Sequence, residues 1–398
     1  MIRVLAAALL AILVFAGSAQ AHTRSQSQSR WTVDGDALSV RIQTTAVDVT
    51  RLYALGGEGE LPLTDALVRD VEHSFQVTAA GQACAPQGHP NASLMEAGTV
   101  TATWRFACPA GALARGPIEI ESQLFLRVAP SHLHFVSLRD GQGRIAEAVL
   151  TEPHPSAVLN PAGGPQAQSI LDTILRFLPV GAQHVWTGLD HVAFILALVL
   201  LTAGDLRRVI LAATGFTLGH TATLGLAATG VLKPDTAAIE ALIGFTIAFV
   251  ALEAGGGDRM KTWSAPAGVL LAVGGVLALT GTAPMSPLVW FGLAAFVFAY
   301  PRGFPRGAVW LAMIFGLIHG CGFAGALSEL DLPKPRLLAS LAGFNLGVEF
   351  GQIAVIALAL LVGLAMQRAP ERVRREAPAL AGAILFALGF YWFVGRLA

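Results

Sequence analysis

Residues 184–203 read HVWTGLDHVAFILALVLLTA, and this stretch decides the fold. From Val192 onward it is apolar enough for a bilayer, yet it opens on His184, Asp190 and His191. Further apolar stretches of helical pattern follow at about 207–231, 236–254, 266–281, 286–300, 307–330, 337–366 and 378–396. The stretches 266–281 and 286–300 are near 15 residues, below the roughly 17–25 a span needs, so a re-entrant hairpin is the alternative for 266–300. The reading is an α-helical polytopic membrane protein of six to eight spans over residues 169–398.

Composition agrees. Of 398 residues, 54% are hydrophobic and 13% charged, about half the charged share of soluble proteins. Two soluble domains are therefore excluded. Lys+Arg 26 against Asp+Glu 26 leaves no net charge to attract nucleic acid, and none is expected as a partner. The 43 glycines suit helices packed closely in lipid.

The N-terminal part is different. Residues 1–21 have the form of a signal peptide: Arg3, an apolar run Val4–Phe15, and Ser18-Ala19-Gln20-Ala21 as cleavage site. Cleavage makes His22 the first mature residue, its α-amine and imidazole a possible outer capture site. Residues 22–150 follow as an exported, β-sandwich-like domain, with every second position apolar in Leu38–Gln43, Thr99–Phe106 and Ile118–Phe125. Cys84 and Cys108 lie in this section, where a disulfide is permitted, whereas Cys321 sits in an apolar segment as a packed thiol. His132 and His134 flank Leu133 on one strand face, either a chelating pair or a solvated face. Residues 151–168, rich in proline, read as a linker, and Ser169–Pro179 as a helix along the membrane surface.

Charge placement sets the topology. With the β domain outside, the inner loops hold ten basic residues from Arg207 to Arg375 and the outer ones only Lys233, Lys334, Arg336 and Arg396. That obeys the positive-inside rule and places the protein in a bacterial inner membrane with a periplasmic N-terminal domain.

The membrane half holds four histidines, His184, His191, His220 and His319, each expected inside a span. Asp190 adjoins His191, and Glu349 lies mid-span. At about 1.5 Å per residue these groups fall in the outer half or near the midplane, between the boundary and about 18 Å deep. Burial there costs several kcal/mol unless the groups are paired or metal-bound. His184 and His191 are expected two turns apart on one helix face, and Asn345, Glu349 and Gln352 form a stripe at i, i+4, i+7. Imidazole with carboxylate suits divalent transition metals such as Ni, Co or Zn; the alternative is a hydrogen-bond network that fixes helix register.

His184-Val-Trp-Thr-Gly-Leu-Asp190-His191 resembles the H-x5-D-H signature of HupE/UreJ proteins. Gly219-His220-Thr221, Ile239-Glu240, Phe315–Ala324 and Phe344-Asn345-Leu-Gly-Val-Glu349-Phe-Gly-Gln352 resemble its later motifs in order, over about 181–366. The resemblance implies a hydrogenase or urease accessory protein or a nickel/cobalt permease. The metal ligands it implies are His184, Asp190, His191, His220, His319 and Glu349, with Asn345, Gln352, Thr221 and Glu240 in support. The smaller permeases commonly carry proline where this chain has Val185, and they lack the exported domain. Two further functions compete. One is a membrane-embedded zinc hydrolase, with Asp190 or Glu349 activating water. The other is an assembly factor or sensor whose β domain binds a periplasmic partner protein.

Overall fold

A computed structural model describes residues 25–56, 62–95, 98–130, 132–160, 170–232, 234–303, 307–322 and 334–397. The signal peptide, His22, the later part of the expected linker, Lys233 and Phe323-Ala324-Gly325 lie outside the described residues. The chain divides into two compact units with the boundary at Asp172 and Thr173.

The N-terminal unit is built from two sheets. Six strands run in the order β5 (Ala85–Leu94), β6 (Thr99–Ala107), β2 (Ala37–Thr45), β1 (Gln26–Asp34), β8 (Leu133–Arg139), β9 (Ile145–Leu150). Four form the second sheet: β10 (Ser156–Leu159), β7 (Ile118–Ser122), β3 (Phe75–Ala79), β4 (Gln82–Ala83). Helices α1 (Ala46–Gly56), α2 (Leu63–Ser74) and α3 (Ala112–Arg115) lie in the connections. Alternation does what it should: Leu38, Val40 and Ile42 are buried while Arg41 is exposed. One core holds residues of both sheets, with Trp31 of β1 edge-on to Phe75 of β3, ring centroids 5.8 Å apart. Strand β10 falls within the stretch expected to be linker, where it pairs with β7. Cys84 and Cys108 are joined in a disulfide, their Cα atoms 4.2 Å apart.

The His132/His134 pair is corrected. The two rings are 1% and 2% exposed, and every ring nitrogen has a hydrogen-bond partner in the parallel seam between β1 and β8. Neither a solvated face nor a chelating pair remains. The indole of Trp31 donates to Ser29 Oγ (2.9 Å), and an indole can only donate. The Ser29 hydroxyl is then left to donate to His134 Nε2 (2.8 Å), and His134 Nδ1 to Ser27 Oγ (2.6 Å). Ser27 donates to His132 Nε2 (2.7 Å), His132 Nδ1 to Ser25 Oγ (2.7 Å), and Ser25 to Asp48. One direction satisfies the whole chain, from a group that only donates to a carboxyl held by Arg51 at 2.7 Å. Burial pushes the Asp48 carboxyl up, against the pull of Arg51, and pushes His134 down to about 3.

The C-terminal unit is helical: α4 (Ile170–Thr187), α5 (Leu189–Leu201), α6 (Leu206–Ala228), α7 (Thr236–Ala254), α8 (Gly257–Leu279), α9 (Pro287–Gly303), α10 (Ala308–Gly322), α11 (Lys334–Met366) and α12 (Glu371–Gly395). Among the described residues, five helices are long and apolar enough to cross a membrane, six if α4 and α5 count as one broken span. The expected 266–281 segment is longer than the sequence pattern indicates, because α8 starts at Gly257 and runs through Pro266. Helix α4 likewise continues through Pro179, and it packs on α11.

Glycines set the helix pairing. A methyl group added at Gly316 of α10 would strike the Phe216 carbonyl of α6, and one at Gly219 of α6 the Met313 carbonyl of α10. The pair α4 and α11 is locked the same way through Gly181 and Gly347, and α7 and α12 through Gly244 and Gly389. Three close-packed pairs therefore surround the start of α5.

Candidate metal centre

Asp190 and His191 stand in the first turn of α5, and His184 in the last turn of α4. The expectation of one helix with both histidines on one face is therefore corrected: the chain bends by 74° between them. Gly188 makes the bend possible. A Cβ there would lie 2.8 Å from the His184 carbonyl, 2.9 Å from Asp190 Oδ1 and 3.0 Å from His191 Nδ1. The bend brings the rings of His184 and His191 to a centroid distance of 4.6 Å.

His220 enters from α6 and His319 from α10. One ligand atom each from His184, His191 and His220 lies within 4.8 Å of the other two. The His319 ring stands 5.3 Å from that of His191, centroid to centroid. Phe194, Phe216 and Phe344, all fully buried, wall the cluster.

Each of three rings is held by one nitrogen. Asp190 Oδ1 accepts from the His191 backbone N–H (2.9 Å) and stands 3.1 Å from His191 Nδ1. Asn345 donates through its amide nitrogen to the Leu341 carbonyl (2.8 Å), which turns its oxygen toward His220 Nδ1 at 3.1 Å. The Thr246 hydroxyl on α7 donates to the Ile243 carbonyl (2.7 Å), so it accepts from His319 Nε2 at 3.0 Å. These bonds engage one nitrogen of each ring and leave His191 Nε2, His220 Nε2 and His319 Nδ1 as the unengaged ring atoms. Those three atoms are buried and have no hydrogen-bond partner among the described residues. Holding one nitrogen while leaving the other bare is how proteins orient metal-binding imidazoles, and a dry apolar wall sharpens the effect.

Glu349 is placed elsewhere. Its carboxylate accepts from Thr214 (2.7 Å) and Thr217 of α6, and Gln352 Oε1 lies 3.1 Å from the same Thr217 hydroxyl. Those threonines precede His220 by six and three residues, roughly 9 and 4.5 Å along the helix axis. A second polar station thus lies beside the histidines, toward the start of α6. Thr221 bonds only to the Thr217 carbonyl among its described side-chain bonds (2.7 Å), and Glu240 pairs with Arg396. Thr246, Thr214 and Thr217 escaped the sequence reading; a hydroxyl in the middle of an apolar helix was their one signal.

A family model described as HupE / UreJ protein matches residues 164–281 and 288–396. No curated protein matches the chain.

Proposed function

From its membership of the HupE/UreJ family, to which this chain belongs, we propose that it carries a divalent transition metal across a bilayer. Members of this family are generally tied to nickel or cobalt transport or to accessory roles. The metal is cargo. His184, His191, His220 and His319 receive it, Asp190 balances its charge, and Asn345 and Thr246 hold the rings. One observation carries the reading: three imidazole nitrogens from three separate helices, buried and without a hydrogen-bond partner among the described residues, each ring held through its other nitrogen. Nitrogen donors of this kind suit Ni, Co or Zn.

Glu349 with Thr214, Thr217 and Gln352 serves as the next station along α6. Two stations of different donor type favour movement over permanent storage, because an oxygen site releases such a metal more readily than an all-imidazole one. In this reading the β domain is periplasmic, the membrane is the bacterial inner membrane, and the cargo enters at the end where α7 begins. The basic residues that collect at the other end support that orientation.

A zinc hydrolase needs a carboxylate to activate water. Asp190 is turned to His191 and Glu349 to the two threonines, arrangements that suit holding a ring and lining a path. The test is uptake of Ni²⁺, Co²⁺ or Zn²⁺ into proteoliposomes. His191→Ala and Glu349→Ala should each abolish it, and uptake unchanged by both would overturn the reading.

A further inference from the structure

Arg396, the residue that follows α12, reaches back to the second turn of α7. Its Nε lies 3.4 Å from Glu240 Oε2, and its Nη1 donates to the Glu240 backbone carbonyl at 2.6 Å. The two side chains are only 14% and 20% exposed, unlike ordinary surface pairs that water screens.

The position of this pair gives it a role. Glu240 precedes Thr246 by six residues, so it stands roughly 9 Å along α7 from the hydroxyl that holds His319. The last turn of α10 runs beside the same stretch, where a Cβ at Gly322 would touch Ile243 and Ile239. Arg396 also interacts electrostatically with Asp190 and with His319. The guanidinium is therefore a positive charge whose field reaches the histidine cluster. Helices α7 and α12 are locked through Gly244 and Gly389, so only the side chains need to move to break the pair.

We infer that Arg396 gates the histidine cluster: it caps Glu240 at rest, and an arriving divalent cation takes the carboxylate and displaces the guanidinium. This rests on the metal reading above. A doubly charged ion outcompetes a single guanidinium for the carboxylate, whereas a monovalent ion gains little by the exchange. The gate thus selects for charge before the imidazoles select for donor type.

The experiment uses the full chain in proteoliposomes with Ni²⁺. Arg396→Gln should raise the initial uptake rate at low Ni²⁺ roughly tenfold, by removing a positive charge from the mouth, and Arg396→Lys should stay near wild type. The double exchange Glu240→Arg with Arg396→Glu should recover the thermal midpoint of the wild type but not its uptake, because the cation then meets a fixed arginine on α7. Unchanged kinetics in Arg396→Gln, or an exchange variant that regains uptake together with its midpoint, would overturn the gate alone. Wild-type liposomes that neither bind nor take up Ni²⁺ would remove the metal reading, and the gate with it.

Discussion

His184 and His191 stand on opposite sides of a 74° bend in the chain, yet their rings meet edge to face with centroids 4.6 Å apart. Gly188 is the residue that allows it. Gly188→Ala places a methyl group against the backbone carbonyl of His184 and against Asp190 Oδ1 and His191 Nδ1, so the two side chains must shift out of their bonded positions. Metal affinity should fall by roughly 10–100-fold, as for loss of a ligand's supporting group. Equilibrium dialysis with Ni²⁺ or Zn²⁺ measures it.

The supports of the rings should matter nearly as much as the rings. Thr246→Val removes the acceptor for His319 Nε2 and frees the ring to turn its bare nitrogen away. Asn345→Leu does the same for His220. Each should weaken metal binding by roughly 10–100-fold with little change in thermal midpoint, and Thr246→Ser should restore it. Equal affinity in Thr246→Val and wild type would deny the hydroxyl this role.

Close backbone approach can be tested by adding one methyl group. Gly316→Ala drives a Cβ into the Phe216 carbonyl and should destabilise the membrane unit by about 1–3 kcal/mol. Gly363→Ala is the control: a Cβ there meets nothing within 4 Å, and alanine favours the helix by roughly 0.5–1 kcal/mol. Thermal unfolding in detergent should move the two variants in opposite directions.

The β unit should weaken in acid. Burial holds His134 down to about 3, against an ordinary value of 6.5, so the folded unit binds fewer protons than the unfolded chain. That contribution is fully present above the ordinary value and is lost as pH falls toward the depressed one, at about 1.4 kcal/mol per pH unit. Asp48, pushed up by burial, opposes the trend at the lower end. Chemical denaturation at pH 7 and at pH 4.5 should show the loss, and His134→Gln should flatten it.

How far the sequence was legible follows from what each pattern encodes. Period-two alternation located the strands around Leu38–Gln43 and Ile118–Phe125, and apolar length located most of the helices, because both reflect burial along one element. The rarity of ionisable groups in lipid singled out the four histidines. Partner choice across elements was not legible. Spacing alone put His184 and His191 on one face, since an apolar window does not register a bend at a single glycine. Glu349 was grouped with the histidines by depth, while the threonines that claim it sit on another helix. For His132 and His134 the sequence leaves a chelating pair or a solvated face, and neither holds because their serine partners lie over a hundred residues earlier, in β1 and at the residue before it.

The glycine contacts carry a further consequence for how cargo leaves. His220 and His319 ride on one locked pair, α6 with α10, while His184 and Asn345 ride on another, α4 with α11. Neither pair can stretch, because backbone already touches backbone along each seam. Ligands on different pairs separate when one pair slides against the other as a solid piece. A bound ion would then act as the rivet between two plates, and its release and the opening of the path would be one and the same motion.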